Sequence, residues 1–159
     1  MRFIGVFTFI SIFGLTTVHA QSFGPLETLS GACWEAQVEM QDENAKPAKN
    51  VHCFEHMFGG EFIRDSHKFV GEGTDMVLGE SVYAPAGEGQ YKITNYSDLG
   101  SIENTTAELT DDGALMYPVA KKIRSILQLR DENSYEVRQE EKKGGRWSVT
   151  STLVYTRQP

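Results

Sequence analysis

The run from Val51 to Phe69 constrains the fold more than any other part of the chain, because its pairing can be read residue by residue. Gly59-Gly60 stands between two alternating arms, and a two-residue hairpin turn needs the positive φ that glycine supplies at no steric cost. Pairing Phe58 with Glu61 then puts Glu55 opposite Arg64, Met57 opposite Phe62, Phe54 opposite Asp65, His56 opposite Ile63 and His52 opposite His67. Facing residues share one side of a sheet, so a single inward assignment propagates through both arms.

The two cysteines, Cys33 and Cys53, extend this register to a third strand. Cys33 to Met40 alternates, with Trp34, Ala36, Val38 and Met40 on one side, the period of a half-buried strand. If Cys33 faces Cys53 in a disulfide, Trp34 falls opposite His52 and Met40 opposite Lys46, leaving Gln41 to Ala45 as the connection. Directly opposed positions bring Cβ atoms near disulfide range. With Trp34 inward, His52, Phe54, His56, Phe58, Ile63, Asp65, His67 and Phe69 point inward too, and Glu55 pairs with Arg64 outside.

The rest of the chain continues the pattern. Pro25 to Leu29 predicts a short helical turn. Strands are expected over Met76–Tyr83, Gln90–Tyr96, Ser101–Leu109, Ala114–Val119, Ile123–Arg130, Tyr135–Glu141 and Arg146–Arg157, with turns at Ala84–Gly89, Asp98–Gly100, Asp111–Gly113, Asp131–Ser134 and Lys142–Gly145. Nine or ten short strands with turns every 8–12 residues point to an all-β antiparallel sandwich or up-and-down barrel. A barrel of about ten strands is expected, because closure removes the two edges that a long meander leaves exposed.

Met1 to Ala20 has one charge, Arg2, an apolar run from Phe3 to Val18 and small residues before Gln21, and reads as a secretory signal peptide in preference to a membrane anchor. No cysteine stands at the cleavage point of a lipoprotein. An oxidising compartment, secreted or periplasmic, makes a Cys33–Cys53 bridge the default. Residues 21–159 then form one domain. Without Arg2 the chain carries 14 Lys plus Arg against 22 Asp plus Glu, net −8, and its basic residues are scattered. That balance argues against nucleic acid or anionic membrane as a partner.

The segment Leu26-Glu27-Thr28-Leu29-Ser30-Gly31-Ala32-Cys33-Trp34, with the closing Leu153-Val154-Tyr155-Thr156-Arg157, resembles calycins, the lipocalin and fatty-acid-binding-protein-like barrels. Those carry Gly-x-Trp on the first strand and an Arg on the last that packs across the Trp; here the spacing is Gly-x-x-Trp. A closer likeness, through Phe54 to Phe62, Ser134 to Arg138 and Arg146-Trp147, is to a family of poorly characterised, mostly bacterial secreted proteins of calycin-like fold. The resemblance implies a structural role for Trp34 and Arg157 at the closed end of a barrel. Trp147, Leu153 and Tyr155, on the same side of the last strand, are expected in the core.

Candidate chemistry gathers on the inward face of the hairpin. Asp65, inward beside Phe54, must be paired, hydrated or protonated. His52 and His67 could be metal ligands with Asp65, but two histidines are a thin signal and a hydrogen-bonded polar pair is preferred. No second carboxylate can be placed beside Asp65, so a glycosidase pair is unsupported. Haem held by His52 or His56 is a minor reading, and no Gly-x-Ser-x-Gly elbow exists. Asn95-Tyr96-Ser97 and Asn104-Thr105-Thr106 match the glycosylation sequon. The expectation is therefore a barrel binding a small, largely apolar ligand through His52, Phe54, His56, Asp65 and His67, with no cofactor and no metal. Two alternatives stand beside it: an enzyme using Asp65, His52 and His67 for proton transfer, and a solid-core module of the cell envelope. Whether the interior is filled or hollow stays open at this level.

Overall fold

The computed structural model describes residues 22–38, 47–72 and 74–159. The expected signal peptide, Met40 with its partner Lys46, and the Gln41–Ala45 connection lie outside these residues. A short helix, α1 (Pro25–Leu29), precedes ten strands: β1 (Ala32–Val38), β2 (Ala48–Met57), β3 (Phe62–Gly71), β4 (Thr74–Gly87), β5 (Gln90–Ser97), β6 (Ile102–Leu109), β7 (Leu115–Ala120), β8 (Ile123–Asp131), β9 (Ser134–Lys143) and β10 (Arg146–Arg157). Each strand pairs antiparallel with the next, and β10 returns to β1, so the sheet closes into a barrel.

The hairpin register is the one its sequence dictates: Cys33 faces Cys53, Trp34 faces His52, His52 faces His67, Phe54 faces Asp65 and Glu55 faces Arg64. Cys33 and Cys53 are disulfide-bonded, and Arg64 bridges Glu55 and Glu80 on the outer face. The turn itself differs from expectation. The last pair is Met57 with Phe62, and Phe58–Gly60 forms a 3₁₀ turn in which Phe58 itself has φ 49°. A four-residue connection keeps the register but releases Phe58 from the inward row, leaving it 76% exposed.

Two further corrections come from bulges. Ala84–Gly87, read as a turn, continues β4 to Gly87: Pro85 pairs with Tyr91 and the register shifts before Gly87. Such an irregularity is where a strand tolerates proline. In β10 the pairing shifts between Val149 and Ser151. The extra residue reverses the faces beyond it, so Trp147, expected in the core, lies outside at 36% exposure against the Arg124 guanidinium, 4.2 Å from its ring centre.

The segment from Phe23 to Leu29 closes one end of the barrel. A five-residue helix has no stability of its own; this one has Pro25 at its start and buries Leu26 and Leu29 completely, each contributing about 1.5–3 kcal/mol. The indole Nε1 of Trp34 donates to the Leu29 carbonyl at 3.0 Å, and Phe23 stacks on Tyr91, whose hydroxyl donates to the Ser22 carbonyl. Arg157, opposite Trp34 in the ladder, lies 5.7 Å from the indole centre. This end is filled: Trp34, Ile63, Ile93 and Leu115 are all buried in one cluster.

Candidate ligand site in the barrel interior

Above that packed layer the interior is hollow. A cavity of about 260 Å³ lies within the barrel, reached by residues of β2, β3, β4 and β7 to β10. Phe54, Leu127, Val137 and Leu153 give it apolar wall; the remaining lining side chains all carry hydrogen-bonding groups, among them Asn50, His52, Asp65, Ser125, Gln139 and Ser151.

Asp65 is the charged group in this wall, 4% exposed. His52 Nδ1 lies 2.8 and 3.0 Å from its two carboxylate oxygens, the pairing that a buried carboxylate requires. The contact follows from register. Asp65 faces Phe54 and His67 faces His52, so the Asp65 carboxylate and the His52 ring are diagonal neighbours on one face of the β2–β3 ladder, within reach of each other. A hydrogen bond from Nδ1–H to carboxylate fixes the tautomer of His52 and leaves Nε2 as the basic nitrogen.

His67 stacks on His52, with ring centres 5.3 Å apart and planes inclined by 20°. Burial is the main cause that lowers its pKa, and the neighbouring His52 adds to it; the carboxylates of Asp65 and Glu80 and the Asp65 backbone act in the opposite sense without prevailing. Its Nδ1 is buried with no hydrogen bond of good geometry.

Tyr83, Tyr117, Tyr135 and Tyr155 complete the wall. Loss of hydration raises the pKa of each, and the Asp65 charge adds to the rise in all four. Tyr135 and Tyr155 stack face to face at 4.6 Å, and the Tyr155 ring meets His52 edge-on at 5.1 Å. The Tyr155 hydroxyl donates to Asn50 Oδ1 at 3.3 Å, whereas that of Tyr135 is buried with no partner among the described residues.

Of the five residues expected to contact a ligand, His52, Phe54 and Asp65 line the cavity. His67 adjoins it through His52 and also borders a shallow depression with Asn95, Tyr96 and Ser97. His56 belongs elsewhere: it lies at the α1 end, against the Phe23 ring and 3.5 Å from Glu27. Alternation places it on the inner side, but at this end it is exposed beside the N-terminal segment and does not line the cavity. None of the four tyrosines is a ligand candidate by sequence, Tyr155 being expected only in the core; single aromatics on strands far apart in the chain carry no mark of convergence until the barrel closes.

A larger depression, about 530 Å³, lies outside the barrel beside Met116, Arg124 and Trp147. Its Arg124 is already paired with Glu140 at 2.7 Å, whereas the interior cavity holds a buried carboxylate and an unpartnered hydroxyl.

No protein-family model matches the chain, and no curated protein sequence does. Among solved structures the fold is similar to that of Rv2717c from M. tuberculosis, with a TM-score of 0.52 at 15% identity over 84% of this chain and 95% of that one. At that identity the likeness extends to the ten-stranded closed barrel and no further.

Proposed function

We propose that this protein is a secreted or periplasmic carrier that holds one small molecule inside a calycin-like barrel. The observation that carries the reading is the hollow half of the interior, where a buried carboxylate paired to His52 and an unpartnered Tyr135 hydroxyl share one cavity. Buried polar groups are ordinarily satisfied, and one left open costs about 1–3 kcal/mol. A ligand with a complementary acceptor would recover that cost.

The lining modifies the expected ligand. A wholly apolar molecule would strand the Tyr135 hydroxyl and lie against the polar side chains of Asn50, Ser125, Gln139 and Ser151, so the supported class is a small ring-bearing compound with hydrogen-bonding substituents. The volume sets its size, since drug-sized ligands occupy pockets of about 300–1,000 Å³. Stacked Tyr135 and Tyr155 offer the ring a flat aromatic wall. The disulfide suits an oxidising compartment.

Native mass spectrometry of the protein purified from its own host tests this directly. A bound organic compound released on denaturation, and absent from a Tyr135→Trp variant whose larger side chain fills the cavity, is the expected result. Protein that is ligand-free from its host, and that shows no thermal shift with a library of small phenols and heteroaromatic compounds, would refute the carrier reading. The His52–Asp65 pair also supports proton transfer as a second reading, since it fixes His52 as a base facing the cavity. In that case Asp65→Asn would abolish turnover while the ligand still binds.

A further inference from the structure

We propose that His52, Asp65 and His67 form a binding site for one divalent transition-metal ion of the zinc class. The three residues each present a ligand atom, and these atoms lie within 4.8 Å of one another. Two of them already have the right spacing. Metal–nitrogen and metal–oxygen bonds of about 2.0–2.2 Å put adjacent ligands about 3.0–3.5 Å apart, and His52 Nδ1 stands 2.8 and 3.0 Å from the Asp65 oxygens. An ion would replace the proton that now joins them.

His67 supplies the third ligand by moving. A metal lies in the plane of each imidazole that binds it, so the two rings cannot both coordinate while they remain stacked face to face, 5.3 Å between centres. His52 is held on one side by Asp65 and on another by the edge-on Tyr155 ring. His67 is not: its Nδ1 is buried with no hydrogen bond of good geometry. A ring rotation at His67 therefore brings one of its nitrogens to the ion at the expense of its stacking on His52 and its contact with the Asp65 backbone.

The donor set decides the kind of metal. Two imidazoles and one carboxylate suit zinc, nickel, copper or iron(II), whereas calcium and magnesium select oxygen. The set has one negative charge in a site where Asp65 is 4% exposed, and a dication compensates it more fully than a neutral imidazole does. Three protein ligands also leave coordination positions open, as in sites that bind a further molecule. Because His52 and Asp65 line the cavity, those positions face its interior. The inference is independent of the carrier reading, since an ion can bind whether or not an organic ligand follows it.

The test uses the chain expressed without a histidine tag, stripped with a chelator, and titrated with zinc chloride by calorimetry and native mass spectrometry. One zinc per chain is expected, weakened by about tenfold or more in His67→Ala and in Asp65→Asn, a loss that removal of an outer-shell partner alone can cause. His56→Ala, at the opposite end of the barrel, should leave the affinity unchanged. Cobalt(II) loaded into the unaltered protein should give visible d–d absorption of a nitrogen-ligated ion, a signature that does not depend on any variant folding. No stoichiometric zinc, equal affinity in His67→Ala, or cobalt bands of the hydrated ion would each overturn the proposal. Failure here with a co-purified organic ligand, or zinc binding without one, separates this site from the carrier reading.

Discussion

Raising the pH should unfold this barrel at a point set by its interior tyrosines. Tyr83, Tyr135 and Tyr155 line the cavity wall, and burial, reinforced by the Asp65 carboxylate, pushes the pKa of each well above the ordinary value of 10.0. A folded-state pKa raised above the unfolded one gives a contribution that is complete below about pH 10 and is lost as pH rises toward the folded value. At about pH 11 each unfolded phenol gains about 1.4 kcal/mol by ionising where its folded counterpart cannot, or about 4 kcal/mol for the three. That is comparable with the whole stability of a small domain, about 5–15 kcal/mol. Tyr91 and Tyr117, whose burial also raises their pKa, add in the same direction. Urea unfolding at a series of pH values gives the stability, and tyrosinate absorbance followed with circular dichroism gives the ionisation. Stability should fall by about 4 kcal/mol between about pH 9 and 11, with most tyrosinate appearing together with loss of structure. Reversible ionisation of all six tyrosines near pH 10 with the sheet intact would refute the burial argument.

Other outcomes follow from single contacts. The Cys33–Cys53 bridge closes a loop of 20 residues, so reduction should cost about 3 kcal/mol in urea unfolding; no change would mean that the unfolded chain is not constrained by the bridge. Trp34→Phe removes the hydrogen bond to the Leu29 carbonyl and should cost about 2–4 kcal/mol, with faster hydrogen exchange in α1. Gly79 has φ 151°, and a Cβ there would run into the Tyr96 carbonyl oxygen, so Gly79→Ala should cost about 2 kcal/mol or more. Thermal unfolding checks this, and an unshifted midpoint would refute it. Arg157→Ala should cost only about 0.5–1 kcal/mol for the lost cation–π contact, readable by the same measurement.

The hairpin was legible because three independent constraints agree on it: Gly59-Gly60 at the turn, the alternation of both arms, and the pairing of Cys33 with Cys53. Each alone tolerates a slip of one residue, and a slip would have reversed every face. The Asp65–His52 contact follows from that register. The opposite half of the site was not legible for a specific reason. Counted back from the Lys143–Arg146 turn, Tyr155 falls opposite Ser134; the extra residue near Thr150 moves it to Tyr135. One bulge therefore hid the stacked tyrosines and sent Trp147 outside, and nothing in Ser148-Val149-Thr150-Ser151 marks it. Phe58 and His56 failed for a different reason. Alternation assigns a side of the sheet but not a height along the barrel, and both residues stand at the end that the N-terminal segment occupies.

The return of β10 to β1 has a kinetic consequence. Every other ladder joins strands consecutive in the chain, whereas this one pairs Trp34 with Arg157 and Glu35 with Thr156, fastened by Gln158 to the Cys33 carbonyl and the Glu35 carboxylate. Nine hairpins can form from local encounters; the tenth joint must bring together residues more than a hundred positions apart, and contacts of that separation slow folding most. Ring closure is then the joint expected to form last, with Trp34 and Arg157 as the two halves of a latch. Until it shuts, the cavity has no fourth wall, so a molecule present during closure can be enclosed without ever passing through a finished barrel.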